Sequence, residues 1–389
     1  MLEKEDFSNW TLMHKNIPVA HIEMIEEEGV VSRVIKTHHL KHSPIGTLCD
    51  NHISIERRKL NAWLRKRAIP ASRENIDEVL DHLDMQNSRV LLLQSFGLSL
   101  SDQYWLKPTA LHTKWEDVNF FQNHFSTDIG EIIFDNKQIN ISEIDFFSPD
   151  SSLNGWLEKK WIIKNNKRIL VKGSNVLYRQ EPYNEKIASD IMKHLNINHI
   201  PYELTTIKDK PYSLCDCFVD ADTEFITAMS IVTHIPQKEN DTKLTHLLRG
   251  CEILGMDPQK IKTDIDKMIV IDYLVANYDR HWGNFGFIRD ANTLKWQGFA
   301  LIFDTGASLW QYSEQIDNTV KSRSFGRYQS EELALITDLS WYTPIPEETL
   351  QQIITSTLEK HPRMQPERIN KIANKVIERA NTITKLKNV

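Results

Sequence analysis

Residues 279–284 read Asp-Arg-His-Trp-Gly-Asn and residues 303–306 read Phe-Asp-Thr-Gly, joined by a short stretch whose end, 299–303, is apolar. No other feature restricts the fold as much. The two motifs set a carboxylate, an amide oxygen and a second carboxylate in the order that metal-assisted phosphoryl transfer needs, and the segment between them has hairpin length. Asp279 and Asn284 are separated by four residues, which lets one loop aim a carboxylate at an acceptor hydroxyl while the amide oxygen meets a metal ion. Asp304 is expected at the mouth of a buried strand formed by 299–303, with Gly306 permitting a tight turn; a hard oxygen ligand there suits Mg2+. Each motif alone is common as a turn. The pair in this order is rare.

Phosphoryl transfer also needs the phosphates held and their charge offset. Upstream, strand-like segments at 156–164 and 169–172, joined by an Asn165-Asn166-Lys167 turn, place Lys172 at the end of a hairpin's second strand. Lys172 is the candidate for offsetting nucleotide charge. A helix over 184–195, with Ile187, Ile191 and Leu195 as its buried stripe, carries Glu185 to hold the lysine's ammonium. The polar stretch 147–155 is neither Gly-x-Gly-x-x-Gly nor a Walker A loop. Its place before the hairpin makes it the candidate phosphate-covering loop, through backbone N–H groups and the Ser151 and Ser152 hydroxyls. His281 either contacts phosphate or hydrogen-bonds within its own loop.

Two more strands are predicted at 202–207 and 212–219, and the sequence beyond 223 is mainly helical, with helices over 245–254, 258–276 and 366–384. The fold class is therefore α+β: an antiparallel-sheet lobe over 146–222, a helical lobe over 223–389, and an additional α+β region over 1–145. In that first region a helix over 54–67 buries Leu60, Trp63 and Leu64 and carries Arg57, Arg58, Lys59, Arg65, Lys66 and Arg67 around them. Ser72 is the expected N-cap of the next helix, whose Ile76, Val79, Leu80 and Leu83 share a face. The aromatic residues from Tyr104 to Phe121 read as packing rather than a base-stacking platform.

The 389 residues, 40% apolar and 26% charged, are enough for two or three compact units of ordinary globular composition. A net charge of −6 gives no overall attraction to nucleic acid or anionic lipid, so the basic helix at 57–67 is the one route left to a nucleic-acid contact, and a solvated face is the simpler reading. No apolar run has the length of a membrane span and the first residues lack a signal-peptide pattern, which predicts a cytoplasmic protein without membrane partners. Cys49, Cys215, Cys217 and Cys251 lack disulfide or zinc spacing and read as plain thiols.

The run Asp-Arg-His-Trp-Gly-Asn-Phe-Gly followed by Phe-Asp-Thr-Gly, with the upstream Leu170-Val171-Lys172 strand and Asn184-Glu185, resembles the HipA-like serine/threonine protein kinases of bacteria. The phosphoinositide-3/4-kinase group shares the same Asp-Arg-His-x-x-Asn and Asp-x-Gly logic. The resemblance covers roughly 147–325 and implies a bilobal kinase-like fold with ATP in the cleft. It implies Asp279 as catalytic aspartate, Asn284 and Asp304 as Mg2+ ligands, and Lys172 as the phosphate-binding lysine. It also implies backbone contacts to adenine from the strand 214–218, at Asp216 and Phe218, a protein acceptor, and autophosphorylation on Ser151 or Ser152. The loop departs from the family's small-residue pattern, and residues 1–145 do not match its N-terminal subdomain, so a toxin role and an antitoxin partner do not carry over. The same site chemistry would also serve a lipid kinase, a small-molecule kinase or an AMP transferase. A nucleotide-binding regulatory module in a DNA-linked complex is the reading from a different class.

Overall fold

The computed structural model describes residues 9–73, 76–135, 137, 139–153, 155–174 and 179–388. The chain opens with β1 (Asn9–His14), β2 (Ile17–Ile25) and β3 (Val30–Thr37), followed by α1 (Arg57–Arg67), α2 (Ile76–His82), α3 (Ser88–Gln94) and β4 (Tyr104–Pro108). These strands pair antiparallel in the order β3-β2-β1-β4. Alternation puts Leu12, Ala20, Ile22, Met24 and Val31 on one face, and α1 covers it with Leu60 and Leu64. The N-cap of α2 lies outside the described residues. Arg67, which the sequence groups with a basic face, turns inward instead. It grips Asp102 with two nitrogens, at 2.5 and 2.8 Å, and donates to the carbonyls of Gly97 and Tyr104. Lys59 is tied to Asp50 at 2.8 Å, so Arg57, Arg58, Arg65 and Lys66 are what remains of the basic helix for any nucleic-acid contact.

Short helices α4 (Trp115–Val118) and α5 (Asp128–Asp135) lead to a second sheet of β5 (Lys159–Lys164), β6 (Lys167–Lys172), β7 (Glu203–Ile207) and β8 (Lys210–Asp216), in strand order β5-β6-β8-β7, with α6 (Glu181–His194) between β6 and β7 in the chain. The hairpin turn works because Asn165 and Asn166 both take positive φ, 51° and 61°, which the tight primed turn demands and asparagine tolerates. Phe134 of α5 packs on Val171 and Tyr212, so α5 precedes position 145 in sequence but rests on this second sheet.

The third part holds β9 (Thr223–Thr227), α7 (Ala228–His234), α8 (Lys243–Ile253), α9 (Pro258–Leu274), β10 (Gly286–Asp290), β11 (Trp296–Phe299), α10 (Gln329–Leu333), α11 (Glu347–Leu358) and α12 (Pro366–Lys387). Asp257 caps α9 through the N–H groups of Gln259 and Lys260. Ile265 and Ile269 of α9, Ile354 of α11 and Ile369, Ile372 and Val376 of α12 form the centre of the largest core. In the three-stranded sheet β11-β10-β9, Gly286 has no room for a side chain: a Cβ would stand 2.1 Å from the Ile226 carbonyl oxygen.

The strand expected over 299–303 ends at Phe299. Ala300 N still donates to Gly286 O of β10 at 2.9 Å, but 301–303 leave it because Ile302 pairs elsewhere, accepting from Ile200 N at 3.0 Å and donating to Asn198 O at 3.2 Å. Asp304 therefore emerges from an irregular extended segment.

The first region is fastened to the rest by buried polar groups. Arg289 of β10 holds Glu224 of β9 and donates to the Tyr104 hydroxyl at 3.0 Å, and His14 reaches Glu224 at 3.3 Å. Trp105, Trp115 and Phe120 pack with Phe147, Val219 and Phe225 in one cluster, so the aromatic stretch is packing, as expected. All four cysteines are free thiols; burial pushes Cys215, Cys217 and Cys251 up to about 12. Among the described residues no helix is long and apolar enough to cross a membrane.

Candidate active site

Lys172 ends β6, where it faces Ser213 of β8 across the ladder. Its ammonium is buried between two carboxylates: it pairs with Glu185 of α6 and with Asp304 Oδ1 at 2.7 Å. Glu185 lies in the second turn of α6 and accepts from Ser213 as well. Burial pushes the Lys172 ammonium down, but Asp304 and Glu185 outweigh it and hold its pKa well above the ordinary lysine value. Burial raises the Glu185 carboxyl, against the pull of Lys172. Asp304 is also desolvated, yet Lys172 and Lys159 keep its carboxyl well below the usual carboxylate range. Tyr202 closes this pocket, with its ring 5.5 Å from Lys172 Nζ and its hydroxyl accepting from Asp304 N at 3.3 Å.

Asp304 takes φ +57°, the left-handed region that aspartate enters more readily than most residues. The turn after it is pinned from α6: Asn184 donates to Gly306 O at 2.7 Å and Ser308 O at 2.9 Å. Neighbouring residues of one helix thus serve two ends of the site, Asn184 the Asp304 turn and Glu185 the lysine.

Arg280 joins this half to the Asp279 loop. Its fully buried guanidinium clasps Asp272 of α9 at 2.8 and 2.9 Å, and one nitrogen donates to both Asn284 O at 2.7 Å and Phe303 O at 2.6 Å. One side chain thereby fixes the residue before Asp304 relative to Asn284. Within the loop, Asn284 Nδ2 donates to Asp279 O at 3.1 Å, so the nitrogen side of the amide is taken up by the loop backbone. His281 Nδ1 accepts from Gly283 N at 3.1 Å, so its neutral ring carries the proton on Nε2. Burial lowers the His281 pKa, against the opposing pull of Asp279 and Asp304. Arg323 pairs with Asp279 Oδ1 from an exposed turn.

Of the expected residues, Lys172, Glu185, Asp279, His281, Asn284 and Asp304 come together. Phe218 joins them indirectly, 5.5 Å from the ring of Phe303. Asp216 is expected to meet the nucleotide through its backbone, and its carboxylate faces outward to Lys167 at 2.6 Å. The serines depart from expectation. Pro149–Ser152 is a 3-10 turn in which Ser151 is fully buried, donating to Ser148 O at 2.8 Å and bonded to Ser95 Oγ at 2.6 Å. Ser152 donates to Pro149 O at 2.9 Å. Both hydroxyls have protein partners: Ser151 meets Ser95 from far back in the chain, and Ser152 bonds within its own turn. Beside them, burial pushes the Asp150 carboxyl up to about 7 although it accepts from Trp161 N at 2.7 Å.

Three residues of the site were not singled out in the sequence. Lys159 of β5 stands opposite Lys172 in register, and burial with the Lys172 charge lowers its pKa to about 8 against the pull of Asp304. Gly155, at φ +101°, lies beside it: a Cβ there would stand 2.5 Å from the movable end of Lys159. The available signal was the hairpin register about its Asn165-Asn166 turn, which sets Lys159 opposite Lys172. Arg280 stood inside the motif itself. Arg73, from before α2, donates to Leu153 O at 2.6 Å and Gly155 O at 2.9 Å and so anchors the loop from the N-terminal region.

The donor set fits a magnesium ion. The Asn284 amide oxygen and the Asp304 carboxylate are hard oxygens, and Mg2+ takes few protein ligands beside phosphate and water. Among the described residues no group of three or more His, Cys, Asp and Glu could hold a metal by itself.

No protein-family model matches the chain. The serine/threonine-protein kinase CtkA of Helicobacter pylori is 28% identical over 143 residues, 36% of this chain and 44% of CtkA, so the match spans less than half of that relative. The HipA chain in the toxin–antitoxin complex of HipA, HipB and operator DNA from Shewanella oneidensis MR-1 superposes with a TM-score of 0.61 at 12% identity. That superposition covers 98% of this chain and 99% of the other and shows a common fold, so it takes in residues 1–145, against the expectation from sequence that this region would not match. The crystal structure of the H. pylori proinflammatory kinase CtkA gives a TM-score of 0.46 at 20% identity over 59% of this chain and 95% of the other.

Proposed function

We propose that this chain, whose fold is that of the HipA-like kinases, transfers the γ-phosphate of ATP to a serine or threonine hydroxyl of another protein. The observation that carries this reading is the convergence of Lys172, Glu185 and Asp304 with Asp279 and Asn284 through the single buried Arg280. The similarity to a relative named as a serine/threonine kinase supports the same reaction.

In this mechanism Lys172 and Lys159 offset the nucleotide's phosphate charge, and the backbone at Asp216 and Phe218 receives the adenine. Asn284 and Asp304 would hold Mg2+, which when bound would draw charge from the phosphate oxygens. Asp279 orients the acceptor hydroxyl and takes its proton; Arg323 must first release the carboxylate. His281, with its proton on Nε2, donates a hydrogen bond toward phosphate. The division into 1–145, 146–222 and 223–389, and a cytoplasmic location, belong to the same reading. Autophosphorylation at Ser151 or Ser152 would need the 149–152 turn to open, so a separate protein is the favoured acceptor.

Incubation with γ-32P-ATP and Mg2+ in host lysate tests the reading. Wild type should label protein, and Asp279→Ala should cut labelling by about 10²-fold or more. Equal labelling by the variant, or an adenylate instead of a phosphate adduct by mass, would overturn it.

The Arg73 grip gives a second expectation. Arg73→Ala frees the Leu153 and Gly155 carbonyls and should raise KM for ATP about tenfold, from the loss of charge-assisted hydrogen bonds, with a smaller change in kcat. An unchanged KM in steady-state kinetics would remove Arg73 from loop positioning.

A further inference from the structure

The turn that delivers Arg323 to Asp279 is built more rigidly than an incidental surface loop. Ser322 N donates to Arg327 O at 3.0 Å, and Lys321 bridges to Tyr328 across its base. Inside it, one oxygen of the buried Glu332 accepts from Ser322 Oγ at 2.6 Å, Ser324 Oγ at 2.7 Å, Phe325 N at 2.7 Å and Gly326 N at 2.9 Å. Trp282, in the Asp279 loop, donates to Ser324 O at 3.1 Å and packs its ring 5.5 Å from Phe325. Lys243 donates to the same carbonyl at 3.2 Å. The turn is thus fixed to the loop that carries Asp279.

Its polar interior points inward and its cations point outward: Lys321, Arg323 and Arg327 are all exposed. Two carboxylates lie on the same turn: Glu332 is buried inside it, and Glu331 accepts from the N–H groups of Arg327 and Tyr328. Three cations on one turn are not explained by the chain's overall charge of −6. Arg323 itself is 61% exposed, and an ion pair that exposed is worth at most about 1 kcal/mol, so its hold on Asp279 is easily exchanged for another anion.

We infer that Lys321, Arg323 and Arg327 form the acceptor-reading edge of this site and select protein acceptors with an aspartate or glutamate two residues from the hydroxyl that is phosphorylated. The inference rests on the kinase reading and names its substrate class. In an extended peptide, side chains two residues apart share a face and are about 7 Å apart. With the acceptor hydroxyl at Asp279, a carboxylate on that face comes within reach of the Arg323 guanidinium. It draws Arg323 off Asp279, so the anion that identifies the acceptor also uncovers the group that takes its proton. Arginine suits the task because its planar fork matches a carboxylate.

The test uses the full chain, ATP and Mg2+ with serine peptides that differ only two residues from the serine: Glu, Ala, Lys or phosphoserine. Transfer and peptide-binding anisotropy are both measured. The Glu peptide should exceed the Ala peptide about tenfold in kcat/KM, with Lys lowest, and Arg323→Glu should reverse the order of Glu and Lys. The paired variant Lys321→Glu/Arg327→Glu should reduce the same preference. Equal use of Glu and Lys peptides, or a Glu preference that survives Arg323→Glu, overturns the inference and leaves the kinase reading standing. A phosphoserine peptide favoured over Glu overturns the carboxylate in favour of a primed acceptor. Failure to label or bind any peptide, with no protein labelled in lysate, overturns both readings.

Discussion

Asp304→Asn is expected to lower phosphate transfer by at least about 10³-fold while the chain stays folded. Removal of one preorganised electrostatic contact from a reacting centre costs about 10²- to 10³-fold, and on the proposed reading Asp304 would supply a second, to the metal, beside the one it makes to Lys172. Asparagine keeps the shape and tolerates the φ of +57°, so the turn held by Asn184 survives. Lys172 keeps Glu185, so the lysine is not stranded as a lone buried charge. Loss of unfolding free energy should stay within about 1.5–3 kcal/mol, the scale of one charge-assisted hydrogen bond. Calorimetric titration with a non-hydrolysable ATP analogue provides the diagnostic readout: the wild type should bind more tightly with Mg2+ than without, and the variant should not distinguish the two. A variant that still responds to Mg2+ would move the metal away from Asp304.

Arg280→Met is expected to have the largest effect on stability. The side chain has no access to solvent and its loss leaves Asp272 buried without its cation, a change that costs about 3–5 kcal/mol. Asn277 Nδ2 still donates to Asp272 at 2.8 Å, which softens the cost without replacing the charge. The same substitution unties Asn284 from Phe303, so transfer should fall even in the fraction that remains folded. Lysine does not rescue it, since an ammonium cannot make the planar two-pronged contact and serve two carbonyls as well. Urea denaturation gives the first quantity and single-turnover transfer at low temperature the second. A normal denaturation midpoint for Arg280→Met would contradict the role assigned to it.

These two residues show how far the site was legible in the sequence. Asp304, Asn284 and Asp279 could be read because the chemistry needs their atoms in a fixed order and local backbone supplies it. Arg280 stood in the same motif, yet its partners Asp272 and Phe303 are fixed by how α9 and the extended segment meet, which local spacing does not encode. Lys159 was missed for a related reason: facing Lys172 depends on the hairpin register, set by the two asparagines at its turn. The polarity of 148–155 suggested exposed loop hydroxyls. It says nothing about Ser95, whose hydroxyl arrives from α3's end to bury Ser151. The strand ending at Phe299 rather than 303 has the same origin, a competing partner at 198–200. Elements with their own period or cap, such as α9, α12 and the β5–β6 hairpin, were visible; positions decided by long-range partners were not.

The contact of Arg73 with the Leu153 and Gly155 carbonyls has a thermodynamic consequence. If nucleotide binds more tightly when the loop is held, any ligand of the N-terminal region that favours the held state raises nucleotide affinity. Linkage then requires nucleotide to raise the affinity for that ligand by the same factor. A region with no reacting atom of its own would thereby report the filling of the cleft to whatever binds its outer surface.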